Sequence, residues 1–292
     1  MTDFKNKTTD SKLLYIYKVG NIAFSVLCAL LCAVSTLFFY DYNPGYFKNS
    51  AITIILYIAI AIGVIFAISA SFTQKKNLKL SSPISKASFP MISLIPACAF
   101  VYYAISLTPT AFEGSSKSSS YLLQIAFAII SFAYFFICAM EISLNKNILA
   151  VLGLASIVSP ILIAVNSYFD YTTVMNGPEK LFMQFATVLF ALYVINEVRF
   201  ILGKPYPRFF ISVASLSSFL CVLSATNKIC IIAKTPESLT NENVALALLI
   251  LALGVYSILR LVFVKEAGNI DEVYEPGRLE SDASDTPAGL QK

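Results

Sequence analysis

Ten polar or charged side chains interrupt an otherwise apolar chain at positions where their chemistry needs explaining, and they fall into two groups. Glu141, Glu197, Arg199 and Arg260 make the first, each five to seven residues before a lysine (Lys146, Lys204 or Lys265) that closes a long apolar run. At a helical rise of about 1.5 Å per residue, all four lie roughly 7 to 10 Å inside the last interfacial charge. A lone charge at mid-membrane costs on the order of 3 kcal/mol on insertion scales, less at this depth and less again when paired. Two acids facing two bases are therefore expected to meet in an ion-pair band that closes the inner end of a helix bundle. The functional form of that band is a gate or an anionic-headgroup site at the arginines. The plainer form, ion pairing with arginines snorkelling to the interface, takes precedence.

The second group is Asn166, Asp170, Gln184, Thr187, Ser224 and Lys228, with Asn227 beside them, on the outer halves of neighbouring apolar runs. Asp170 and Lys228 are expected to pair, and Asn166 and Gln184 to line a polar pocket open to the outside, the shape of a small-molecule or lipid-headgroup site. The intervening Asn176-Gly177-Pro178-Glu179-Lys180 needs no ligand to explain it. It is a helix start, with a capping residue, a turn glycine, proline in the first turn and an acid against the positive end of the dipole.

Other chemistry is excluded by composition. The chain contains no histidine, so it cannot build an HExxH zinc site, a Ser-His-Asp triad or a Cys-His nucleophile. Cys28, Cys32, Cys98, Cys138, Cys221 and Cys230 all fall within apolar runs and form no CxxC pair, so they read as small apolar side chains without disulfides. Gly203-Lys204 is followed by Pro205 and lacks the glycine pattern of a phosphate loop, and no basic patch alternates with aromatics. Neither a catalytic residue, a metal, a cofactor nor nucleic acid is expected.

The elements that position both groups follow from the solvent. Hydrophobic residues make up 57% of the 292 positions and charged residues only 13%, too few to cover a soluble surface of this size. Apolar runs matching the ~30 Å hydrocarbon core occur at about residues 19–40, 51–72, 88–107, 121–143, 148–169, 181–202, 209–232 and 244–264. They are apolar on every face, which fits helices and not barrel strands. The expected fold is an all-α polytopic bundle of eight transmembrane helices over 19–264, preceded by a cytoplasmic segment (1–18) and followed by a disordered acidic cytoplasmic tail (265–292). The first run continues through Phe38 and Phe39, so it is read as a retained helix and not a cleaved signal.

Sixteen of the 21 Lys and Arg residues fall on the side of the two termini and five on the other (Lys48, Lys117, Lys180, Lys228 and Lys234). That asymmetry puts both ends in the cytoplasm, in agreement with an even number of spans. Small residues at helical spacing mark the faces expected to touch other helices: Ala59, Gly63, Ala67 and Ser71 in the second span, Ala214, Ser217, Cys221 and Ser224 in the seventh, and Ser156 and Ser159 in the fifth. Pro96 and Pro160 are expected to kink the third and fifth spans. The likeness of Ile60-Ala61-Ile62-Gly63-Val64 to Leu251-Ala252-Leu253-Gly254-Val255 suggests hairpins built as parallel repeats.

The expected function is that of a multi-pass cell-membrane protein, in a bacterial inner or plasma membrane. It is read as a non-catalytic subunit or scaffold that binds membrane lipid, a membrane protein partner or a second copy of itself. The alternative is a permease component for a small amphipathic or lipid-like molecule. An enzyme is not expected, because only Glu141, Glu197 and Asp170 would be available for acid-base work.

Overall fold

Hydrocarbon offers no water to an unpaired backbone group, so an apolar run entering it must satisfy its own N–H and C=O groups. The computed structural model, which describes residues 2–42, 45–73, 88–112, 118–140, 142, 144–170, 174, 177–204 and 206–264, has eight helical spans long and apolar enough to cross a membrane. They are formed by α1 (Thr2–Phe39), α2 (Ala51–Thr73), α3 (Ser88–Phe112), α4 (Ser118–Ala139), the pair α5 (Lys146–Ser156) and α6 (Val158–Phe169), α7 (Pro178–Ile201), α8 (Pro207–Lys234) and α9 (Asn241–Phe263). The acidic tail, Glu141 and Asn176 lie outside the described residues.

The expected boundaries hold to within a few residues at most ends, but α1 runs without interruption through Lys18. Lysine is compatible with a helix interior, and the Lys18 ammonium is met by backbone carbonyls within the bundle. It donates to the carbonyl of Val262 at 2.8 Å and to that of Val264, where the last turn of α9 has carbonyls without helical partners. This contact also puts the Lys18 turn of α1, next to the start of its long apolar run, and the end of α9 at one end of the bundle, here called proximal; the other end is distal.

Proline acts differently in the two spans that carry it near the middle. Pro160 has no N–H for the Ser156 carbonyl, and the fifth span breaks at Ile157 into α5 and α6. The orphaned carbonyl is met from α4, whose Ser131 hydroxyl lies 3.1 Å away. Pro96 and Pro109, by contrast, are contained within the single helix α3.

Helix α8 organises the packing. It touches α1, α2, α7 and α9, while α9 continues to α3, α3 to α4, α4 to α5 and α6, and these back to α7. Six spans thus close a ring, and the α1–α2 hairpin packs against α8 from outside it. The small-residue line of α2 does face another helix. Ala59 and Ala67 are buried, a Cβ on Gly63 would stand 3.2 Å from the ring of Phe219, and the Ser71 and Ser212 hydroxyls are 2.6 Å apart. Helix α1 lies along α8 through Asn21, Ser25, Cys28, Cys32 and Ser35, all buried and spaced by alternate steps of four and three. Asn21 Nδ2 donates to Ser218 Oγ at 2.7 Å and Thr36 Oγ1 to Asn227 Oδ1 at 2.8 Å.

At the distal end the chain between α1 and α2 forms a two-stranded ribbon, β1 (Tyr40–Asp41) against β2 (Tyr46–Phe47). Its turn needs Gly45, which sits at φ +69° with its carbonyl 3.1 Å from where a Cβ on Gly177 would be.

The approach of α9 to α8 gives a quantitative test. A Cβ on Gly254 of α9 would lie 3.0 Å from Cys221 Cβ and 3.1 Å from the backbone nitrogen of Val222, so α9 must move away from α8. Gly254→Ala is expected to destabilise the folded protein in detergent by about 1–3 kcal/mol, the usual cost of overpacking. Unfolding curves identical to those of the wild type would show that the two helices are not in this contact.

Candidate functional site

Buried positions on α7 recur as Phe190, Tyr193, Val194, Glu197, Val198 and Ile201, one inward face. On α9 the corresponding face carries Leu249, Leu253, Tyr256 and Arg260. Glu197 and Arg260 are therefore placed one against the other near the proximal end, with 2% and 1% of their surfaces exposed. Arg260 Nη2 donates to Glu197 Oε1 in a close ion pair. The Tyr256 hydroxyl, one turn before Arg260, lies 2.8 Å from Oε1 and 3.0 Å from Oε2 of the same carboxylate.

Aromatic rings form the wall. Phe135 of α4 packs edge-on against Tyr256 at 5.2 Å and stacks on Phe100 of α3 at 5.9 Å, and Tyr193 packs edge-on against Tyr256 at 6.0 Å. The Arg260 guanidinium carbon is 5.8 Å from the Tyr256 ring centroid. In this water-poor surrounding the attraction between the charges is far stronger than in water, and so is the penalty for leaving either one alone. With Arg260 on Oε1 and the Tyr256 hydroxyl shared between the two oxygens, the arrangement is suited to locking α7 to α9.

Arg199 does not join the pair. Two residues on from Glu197 it is turned by roughly 200° about the helix axis, and it is exposed on the outer face of α7. Its Nε donates to the Lys204 carbonyl at 3.4 Å, and its guanidinium carbon lies 5.6 Å from the Tyr206 ring centroid. Of the expected four-residue band, the described residues thus contain one pair.

The distal residues separate into several local arrangements. Lys228 Nζ bonds to Glu179 Oε1 at 2.6 Å, so it pairs with the acid that begins α7 and not with Asp170. The reason is position: Glu179 stands at the distal start of α7, the neighbour of α8. The Asp170 carbonyl accepts from Lys180. Asn166 faces α4, donating to Gln124 Oε1 at 2.8 Å and accepting from Ser120 at 2.7 Å, while Gln124 donates to the Tyr103 hydroxyl at 2.6 Å. Thr187 bonds to the Met183 carbonyl of its own helix at 2.9 Å. Ser224 is buried with no hydrogen-bond partner among the described residues, and Gln184 is half-buried. Tyr40, just beyond the end of α1, has its phenol raised above the ordinary value by burial and then by the nearby Glu179 carboxylate. It remains protonated and lies 3.1 Å from the Gly45 carbonyl, to which it donates.

Sequence reading passed over Tyr256 and Tyr193, yet each stands four residues before a charge it accompanies, Arg260 and Glu197. That spacing places them on the same helical face. Among the described residues no group of three or more metal-capable side chains occurs. The chain matches no family model, and no curated protein or solved structure shows significant similarity to it. Fold and composition together define the class: an all-α, multi-pass membrane protein, with eight helical spans among the described residues long and apolar enough to cross a membrane.

Removing one member of the buried pair leaves the other charge unmatched. Glu197→Gln and Arg260→Met are each expected to cost about 3–5 kcal/mol, whereas the double replacement should recover most of that loss. Additive losses in thermal or denaturant unfolding of the double variant would show the two side chains to be uncoupled.

Proposed function

We propose that this protein is a non-catalytic membrane subunit or scaffold that holds partner proteins or lipid against its helix faces, and that it is not an enzyme. The observation carrying this reading is that, among the described residues, the charges buried within the spans are paired inside the chain. Glu197 is held by Arg260 and Tyr256, and Lys228 by Glu179. A carrier of ions would instead keep such groups facing an open path. The lysine and arginine asymmetry supports termini in the cytoplasm, and the short connections between spans suit a bacterial plasma membrane.

A second reading, a permease for a small amphipathic or lipid-like molecule, is favoured by one feature. Buried hydroxyls of Ser25, Ser35, Ser215 and Ser224, with the Asn227 amide nitrogen, have no hydrogen-bond partner among the described residues. They lie on α1 and α8, so a polar guest between these helices would have donors to meet.

Native mass spectrometry of the protein extracted in mild detergent separates the two. Protein subunits or a second copy retained at fixed stoichiometry are the expected result. A tightly held small molecule in their place, lost on Asn227→Leu, would overturn the scaffold reading in favour of the permease.

A further inference from the structure

The α7–α8 hairpin gathers three cations within ten residues, apart from the buried pair. Arg199 is in the last turn of α7, Lys204 in the turn and Arg208 in the first turn of α8, closed around Gly203 at φ +70°. None of the three is in an ion pair among the described residues. No Asp or Glu occurs between Glu197 and Glu237, and Glu197 is committed to Arg260. Arg208 Nε is buried and has no hydrogen-bond partner among the described residues.

Arg199 is also oriented. Its contact with the Lys204 carbonyl and its position over the Tyr206 ring hold the guanidinium at the hairpin, where Tyr206 and Phe209, 6.4 Å apart, are both exposed. A guanidinium fixed in this way presents its remaining N–H groups as a fork, the geometry that matches two phosphate oxygens. The exposed aromatic pair beside it belongs at the level where headgroups meet acyl chains.

We propose that this hairpin binds the phosphate of an anionic membrane lipid, with Arg199 as the bidentate donor and Lys204 and Arg208 as flanking charges. The assignment uses the membrane location of the chain and specifies the lipid half of the proposed function; it needs no protein partner. A zwitterionic lipid offers the same phosphate but adds a cation that three unpaired bases repel.

The test uses the full chain in detergent, titrated with dioleoylphosphatidylglycerol or dioleoylphosphatidylcholine and followed by native mass spectrometry. Wild-type protein is expected to retain phosphatidylglycerol under activation that strips phosphatidylcholine, and its affinity for the former should fall with added salt. Arg199→Gln/Lys204→Gln should weaken phosphatidylglycerol binding roughly thirtyfold, from about one surface-charge contribution per residue lost. Lys48→Gln/Lys234→Gln, with the same charge removed at the distal end, should leave it unchanged. Equal retention of both lipids, equal weakening by the two double variants, or release of the lipid by millimolar inorganic phosphate would each overturn the proposal. If the hairpin variant does not fold, the salt dependence and lipid preference of the wild type decide. Failure here leaves copurification of protein partners untouched, so the two proposals fail separately.

Discussion

Helices already in hydrocarbon gain almost nothing from burying apolar surface against one another, so their association rests on close backbone approach and on polar contacts. Both converge on α8. Gly63 and Gly254 bring α2 and α9 against it, and Asn21 and Thr36 tie α1 to it through Ser218 and Asn227. Cys221 Sγ approaches the Ala186 carbonyl of α7 at 3.6 Å. A helix with four partners must be small on several faces at once. That accounts for the serines, alanines and cysteines distributed around α8, and for serine where a soluble core would carry valine or leucine.

The Glu197–Arg260 pair is a different kind of contact. Small-residue packing tolerates gradual adjustment, but a charge pair in an aromatic wall has only two states of consequence, matched and unmatched. Its value to the bundle is therefore specificity. The face of α7 bearing Glu197 has to meet the face of α9 bearing Arg260, and Tyr256 leaves little freedom in how the carboxylate is turned. The distal Lys228–Glu179 pair makes the corresponding tie between α8 and α7, where the side chains retain 12% and 15% of their exposure and solvent weakens the penalty. The bundle is thus pinned at both ends by ionic contacts that involve α7, with the soft α8 contacts between them.

The spans were legible because their signal is length and composition, which the bilayer thickness sets directly. The inward lines of α2 and α8 were legible for a similar reason, since small residues at helical spacing have one physical use in lipid. What the sequence left open was pairing between helices. Depth along the bilayer grouped Glu141, Glu197, Arg199 and Arg260 together, but depth says nothing about angle, and the two-residue step from Glu197 to Arg199 turns them to opposite faces. Asn166 and Gln184 were grouped for the same reason, although Asn166 turns to Gln124 on α4. Tyr103 escaped notice because a tyrosine in a span looks like any other apolar ring until a neighbour supplies its hydroxyl with a partner.

The resemblance between Ile60-Ala61-Ile62-Gly63-Val64 and Leu251-Ala252-Leu253-Gly254-Val255 has a local explanation in the same terms. Helices α2 and α9 each follow a distal connection and run toward the proximal end, antiparallel to α8, and each meets it within one turn of the other's contact: Gly63 at Phe219, Gly254 at Cys221 and Val222. At that depth each needs a residue without a Cβ toward α8, small neighbours beside it, and branched or long apolar side chains where it faces lipid or the ring. Ile or Leu alternating with Ala ahead of a Gly, with Val after it, satisfies all three demands. A shared contact with one central helix is therefore sufficient to produce the two pentapeptides, and the likeness measures what α8 requires of its neighbours before it measures any duplication of the chain.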